Sequence, residues 1–149
     1  MDFIIGLPKT SSDYDSIWVI VDHLMKSAHI IPVKIKYLVS KYAKLYLTKI
    51  VCLHDFLKTI LLDRGPQFTS RFWECLHEAM GATLLLNMGY HPQTRGQTDR
   101  ANQILEDMLG ASAIIYSGSW DTWLPFAKFA YNNSHQVSIN MSPYEALYG

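Results

Sequence analysis

Apolar residues change rhythm several times along the chain, and each change marks an element. Asp2 to Leu7 is a mostly apolar run that ends at Pro8. KTSSDYDS follows, with the small polar residues of a turn. Ile17 to Val21 (IWVIV) is an unbroken β-branched and aromatic run, the pattern of a strand covered on both faces. Ala28 to Val33 reads as a third strand, and Pro32 places it at a sheet edge, where a missing N–H is tolerated. From Leu38 to Leu53 the apolar positions (39, 42, 43, 46, 47, 50) recur at helical spacing with lysines opposite. KTILL, residues 58–62, is a fourth strand that runs into Asp63, and DRGPQFTS is a loop. Thr69 or Ser70 can cap a helix that stops at Gly81, and Thr83 to Leu86 is a fifth strand.

The last third reads as helices. A polar loop with Pro92 and Gly96 leads into a long helix from about Thr98 to Tyr116, broken by SGSWD. Trp120 to Tyr131 forms another, with Pro125 near its first turn. Ser142-Pro143-Tyr144-Glu145 combines a capping serine, proline at the first helical position and glutamate at the third. That helix has few residues left before Gly149, and only Met1 precedes the first strand, so the expectation is a single domain over 1–149 cut from a longer chain at both ends. Strands and helices in this order predict an α/β fold with a mixed five-stranded sheet flanked by helices.

Composition narrows the class. The 149 residues suffice for one core, and 49% are hydrophobic, as in globular chains. No apolar run approaches the roughly 20 residues of a membrane span, and the first residues lack the basic lead of a signal peptide. Cys52 and Cys75 form no disulfide framework, which fits an intracellular reducing compartment. Formal net charge is zero, so any attraction for nucleic acid has to be local. Lysines 34, 36, 41, 44 and 49 cluster, and Lys41, Lys44 and Thr48 share a helical face. The plainer reading of that face is a solvated helix surface.

Three carboxylates sit where this order of elements would gather them. Asp2 opens the first strand, Asp63 closes the fourth, and Asp99 begins the long helix after the fifth, with thirty-five residues between the last two. Strand ends beside a helix start are where open sheets build their sites. Converging acids repel unless a cation lies between them, and carboxylates suit Mg²⁺, a hard ion that keeps part of its water. Each acid also has a plain reading: Asp99 as a helix-start charge, Asp63 as a turn acid, Asp2 as an exposed terminal residue.

The stretches MDFIIGLP, YDSIWVIVDHLMKSAHIIPVK, LLDRGPQFTSRFW, YHPQTRGQTDRANQILEDML and SWDTWLPFAKFAYNNS, followed by MSPYEALYG, cover nearly the whole chain in order. Together they resemble the catalytic core of retroviral and retrotransposon integrases, the Ty3/gypsy LTR type in particular. The resemblance implies a ribonuclease-H-like fold and a catalytic, metal-holding triad of two aspartates and, thirty-five residues on, a glutamate. Asp2 and Asp63 match the first two acids, and Asp99 stands at the third. It implies two Mg²⁺ or Mn²⁺ ions, Asp2 bridging them, Asp63 on one and Asp99 on the other. The implied chemistry is two phosphoryl transfers on DNA, 3′-end processing and strand transfer, by a homodimer or higher oligomer in the nucleus. The Leu38–Leu53 and Trp120–Tyr131 helices are the candidates for pairing.

In that frame His91, Gln93, Thr94 and Arg95 of the loop, with Arg100, Asn102 and Gln103 of the helix, would contact DNA. The chain departs from the family at Asp99, where glutamate is usual, at Arg95, where aspartate is usual, and at Asp55-Phe56-Leu57. An aspartate reaches about 1.3 Å less far, and a misplacement of about 1 Å costs on the order of a hundredfold in rate. A non-catalytic remnant that binds nucleic acid or dimerises, and a ribonuclease-H-like nuclease, therefore stay open beside the integrase reading. Other features carry less. The repeated Cys-Leu-His at 52–54 and 75–77 fits no zinc finger spacing. Asp22 reads as a strand-end turn, Trp18, Trp73, Trp120 and Trp123 as core or interface, and Asn132-Asn133-Ser134 as no glycosylation acceptor for an intracellular chain.

Overall fold

The structure is a computed structural model of the full chain, and it describes residues 2–22, 24–51, 71, 74–75, 100, 103–108 and 119–149. The chain forms two compact units, residues 1–35 with 92–149, and residues 36–91.

The first unit holds an antiparallel sheet of order β1-β2-β3, with β1 at Asp2–Ile4, β2 at Ser16–Val21 and β3 at Ala28–Val33. β1 is shorter than the apolar run suggested. Gly6 takes a positive φ of 79°, which turns the chain out of the sheet before Pro8. β2 is buried on both faces, as an uninterrupted apolar strand must be. β3 has the predicted bounds and lies at an edge among the described strands, as Pro32 required, with Pro32 opposite Ile17. The positions expected for the fourth and fifth strands lie outside the described residues.

One face of the sheet carries Ile4, Ile17, Val19, Ala28 and Ile30 into a core completed by Leu105 and by helix α2, Trp120–Asn133. Trp120, Leu124, Ala127 and Tyr131 recur at helical spacing and make the buried face of α2. On the other face of the sheet, Phe3 and Trp18 stack across β1 and β2 at 5.9 Å. Trp18 and Trp120 are core residues, as the sequence indicated.

Helix α2 is tied at its start to the segment after β1 and at its end to β3, by hydrogen bonds that cross more than 100 residues. At its start the Trp120 indole N–H donates to the Pro8 carbonyl at 2.7 Å. At its end the fully buried Asn132 amide pairs with the backbone of Ala28, accepting from its N–H at 2.7 Å and donating to its carbonyl at 2.9 Å. The helix runs two residues beyond the expected Tyr131, which brings Asn132 into the last turn. Pro125 falls in the second turn, on the exposed side. Helix α3, Pro143–Tyr148, starts with the reciprocal cap the sequence promised: Glu145 N–H donates to Ser142 Oγ, and Ser142 N–H donates to the Glu145 carboxylate.

In the second unit helix α1, Val39–Tyr46, widens into a π-helical segment, Leu47–Val51. Thr48 Oγ1 donates to the carbonyls of Lys44, at 2.9 Å, and Leu45, at 3.3 Å. This competes with the regular ladder and gives a local cause for the wider turn. Tyr42, Ala43, Tyr46 and Ile50 are buried, and Lys41, Lys44 and Thr48 are exposed together, as the period predicted.

Two outcomes follow. Asn132→Ala strands a buried donor and a buried acceptor of Ala28, so chemical denaturation should show a loss of about 2–5 kcal/mol; a loss below about 0.5 kcal/mol would mean that water replaces the amide. The second concerns acid. The Asp15 carboxylate accepts from Ile35 N–H at 2.8 Å and from Ser16 Oγ at 2.8 Å, and the first of these chiefly holds its pKa below the ordinary aspartate value. A native pKa below the unfolded one means stability that is complete above about pH 4 and is lost as pH falls through the lowered native value. Urea midpoints measured from pH 6 downward should therefore decline below about pH 4, and less steeply in Asp15→Asn.

Candidate functional site

β1 positions the first candidate acid. Asp2 lies at the start of β1, paired in register with Val19 of the central strand. Asp63 and Asp99, with His91, Gln93, Thr94, Arg95 and Asn102, lie outside the described residues. So do both Cys-Leu-His repeats, except that Cys75 is a partly buried free thiol. Among the described residues no three His, Cys, Asp or Glu side chains gather as a metal would require.

Two of the expected DNA contacts are described. Arg100 is helical and exposed, and residues 103–108 are helical with Gln103 exposed. Leu105 is fully buried in the core, and Ile104 and Met108 pack against it. Burial of Leu105 fixes which side of the helical segment meets protein and leaves Gln103, Glu106 and Asp107 to solvent. Gln103 Nε2 donates to Asp107 Oδ1 at 3.1 Å, one turn along, so its amide is held along the helix surface. Arg100 lies near enough to Tyr131 to oppose the rise in phenol pKa that burial imposes.

Asp22, at the end of β2, is a turn residue. Its Oδ1 accepts from Leu24 N–H at 2.7 Å and from Met25 N–H at 2.8 Å, and its own N–H donates to the Ser27 carbonyl at 2.8 Å. These bonds close the β2–β3 connection, in which Lys26 takes a positive φ of 56°. Lys26 is itself nearly buried, and desolvation lowers its pKa against the pull of Asp22. The tie between Asn132 and Ala28 secures this same connection from the helix side, a role missed in the sequence because Asn132 stood beyond the expected helix end. The signal available was an asparagine directly after Tyr131, about two turns past Leu124 on the apolar stripe.

The chain is similar to known proteins over nearly its whole length. It is 28% identical over 148 residues to the transposon Tf2-3 polyprotein of Schizosaccharomyces pombe, and equally to the Tf2-4 polyprotein. Those matches cover 99% of this chain and 11% of each polyprotein, so the chain spans about a tenth of the curated relatives it matches. Among solved structures, the crystal structure of the catalytic core domain of BIV integrase superposes with a TM-score of 0.72 at 25% identity, over 98% of this chain and 90% of that one. The HTLV-2 integrase catalytic core domain, in complex with magnesium and in a trimeric form, gives a TM-score of 0.66 at 15% identity, over 95% and 98%. No family model matches the chain. The matches support the resemblance carried by the sequence, to integrase catalytic cores of LTR retrotransposons, and the fold is the α/β, ribonuclease-H-like one of those cores.

Proposed function

We propose that this chain is the catalytic core of a DNA-integrating phosphoryl transferase, with Asp2, Asp63 and Asp99 as its metal-holding acids. The observation that carries the reading is the whole-length agreement with integrase catalytic cores in sequence and in fold, together with Asp2 standing on β1 beside the central strand. Three carboxylates form a hard-oxygen donor set, and that set fits Mg²⁺ or Mn²⁺. Asp2 would bridge two ions, Asp63 would hold one and Asp99 the other. Bound there, a metal pair would steady the attacking and leaving oxygens of a phosphodiester exchange. His91, Gln93, Thr94, Arg95, Arg100, Asn102 and Gln103 would hold the DNA by its phosphates and base edges. On the described helical surface Arg100 and Gln103 are exposed, as this requires. Residence in the nucleus goes with this reading.

Asp99 sets the rate in this proposal. Its carboxylate is one methylene shorter than the glutamate usual at that position, so the third ligand reaches less far. Strand transfer and disintegration should be slow in the unaltered chain and rise by about a hundredfold in Asp99→Glu. Cleavage and rejoining of a branched DNA substrate in Mn²⁺ measures this. Activity absent in both forms, with no Mg²⁺ uptake by calorimetry that Asp63→Asn abolishes, would establish a non-catalytic remnant. Hydrolysis of RNA in hybrids, with no action on duplex DNA, would assign the ribonuclease-H-like alternative.

Self-association belongs to the same proposal. Phe126 and Phe129 of α2 are 65% and 56% exposed, and Tyr144 packs against Phe129. Large exposed aromatics on one helix are uncommon away from interfaces. The chain should sediment as a dimer or larger, and Phe126→Glu with Phe129→Glu should shift it to monomer at micromolar concentration. An unchanged sedimentation coefficient would remove α2 from the interface.

A further inference from the structure

The lysines around α1 have no part in the site described above. Between Asp22 and Asp55 the chain carries six lysines and no acid, although the whole protein is formally neutral. Lys36, Lys41, Lys44 and Lys49 are exposed. Among the described residues, Lys36, Lys44 and Lys49 have no carboxylate at ion-pair distance, whereas Lys9 and Lys34 share Asp13. Lys36, Lys41 and Lys44 line an open depression together with Tyr37, Leu38 and Ser40. The Lys41 ammonium sits 6.0 Å from the centre of the Tyr37 ring, which meets the buried Tyr42 edge-on.

Lys41 is poorly placed in the free protein, whereas Lys44, in the last turn, suits the helix dipole. Helices gain from acids in the first turn, but α1 has none there, and Lys41 stands in that turn near the positive end of the helix dipole. A bound polyanion relieves the repulsion. The chemistry favours a nucleic-acid backbone over a lipid surface, because a helix that lies on a bilayer inserts its apolar face, and Tyr42, Ala43 and Tyr46 of α1 are buried within the protein, which leaves Leu38 as the one strongly exposed apolar side chain beside these lysines among the described residues. Lysines beside the hydroxyls of Ser40 and Thr48 are the groups that contact phosphodiesters.

We propose that Lys36, Lys41, Lys44 and Lys49 form a second, metal-independent contact for the phosphate backbone of duplex DNA. The inference rests on the proposed DNA substrate and extends it to lysines that, among the described residues, lie beside no candidate catalytic group. Fluorescence anisotropy of a labelled duplex, in EDTA at 50 to 200 mM salt, tests it. Each phosphate neutralised contributes about 0.9 to the slope of log affinity against log salt. Replacing all four lysines by glutamine should lower that slope by roughly two to four and weaken binding at least about tenfold, while the four-arginine variant keeps both. If the glutamine variant melts early, Lys44→Gln and Lys49→Gln singly should each lower the slope by up to about one. An unchanged slope overturns the proposal. So does loss of binding to anionic phosphatidylserine vesicles with DNA binding intact, which would make the face a lipid contact. Lys9→Gln, at a lysine already paired with Asp13, should keep the slope of the unaltered chain. A slope change without metal-dependent activity would remove the catalytic reading alone.

Discussion

The buried pairing of Asn132 with Ala28 is the constraint on which the sheet-and-helix unit turns. Ala28 opens β3, an edge strand of the described sheet, and an edge strand leaves backbone N–H and C=O groups without a neighbouring strand. Buried, such groups need partners. One primary amide supplies both, because it carries a donor and an acceptor side by side and so imitates the missing strand. The same two bonds fix the end of α2 on the sheet, and the Trp120–Pro8 bond fixes its start. Held at both ends, α2 presents Leu124 and Ala127 to Ile17, Val19 and Ile30 and leaves its aromatic outer face to solvent.

Zero net charge conceals a division of labour. Several of the described carboxylates are occupied locally: Asp13 by Lys9 and Lys34, Asp15 by Ile35 and Ser16, Asp22 by the turn it closes, Glu145 by its cap. The lysines of residues 23–54 have no acid among them. An average over the whole chain therefore says little about either group. What matters for a charged ligand is the distance over which screening acts, about 10 Å in ordinary salt, and the described residues of α1 contribute lysines and no acid within it.

Much of the fold was legible because its signals are local. β3 keeps its bounds, β2 is buried on both sides as its unbroken apolar run demanded, and the serine, proline and glutamate before α3 form the cap they spell. Asp22 proved to be the turn residue it looked like. The misplacements arise where a single group, nearby or distant, overrides the periodic pattern. β1 stops early because the chain bends at Gly6, α2 runs on because Asn132 finds Ala28, and α1 widens because Thr48 takes carbonyls that the helix would otherwise use. Of the candidate site, the order of elements singled out three acids; Asp2 is seen on β1, and Asp63 and Asp99 fall outside the described residues.

By itself the sequence determined the class of fold, the order of its described elements, the caps and turns, and a resemblance to integrase cores. Periodicity, proline and glycine geometry, and side-chain reach over one turn all act between near neighbours, so the letters carry them directly. The tertiary structure decided which polar residues serve the interior and which face of each element is left to water. Those outcomes depend on pairs such as Asn132 with Ala28 and Trp120 with Pro8, more than 100 positions apart. A hydrogen bond needs its partners within about 3 Å, and only the packed chain brings such distant residues that close.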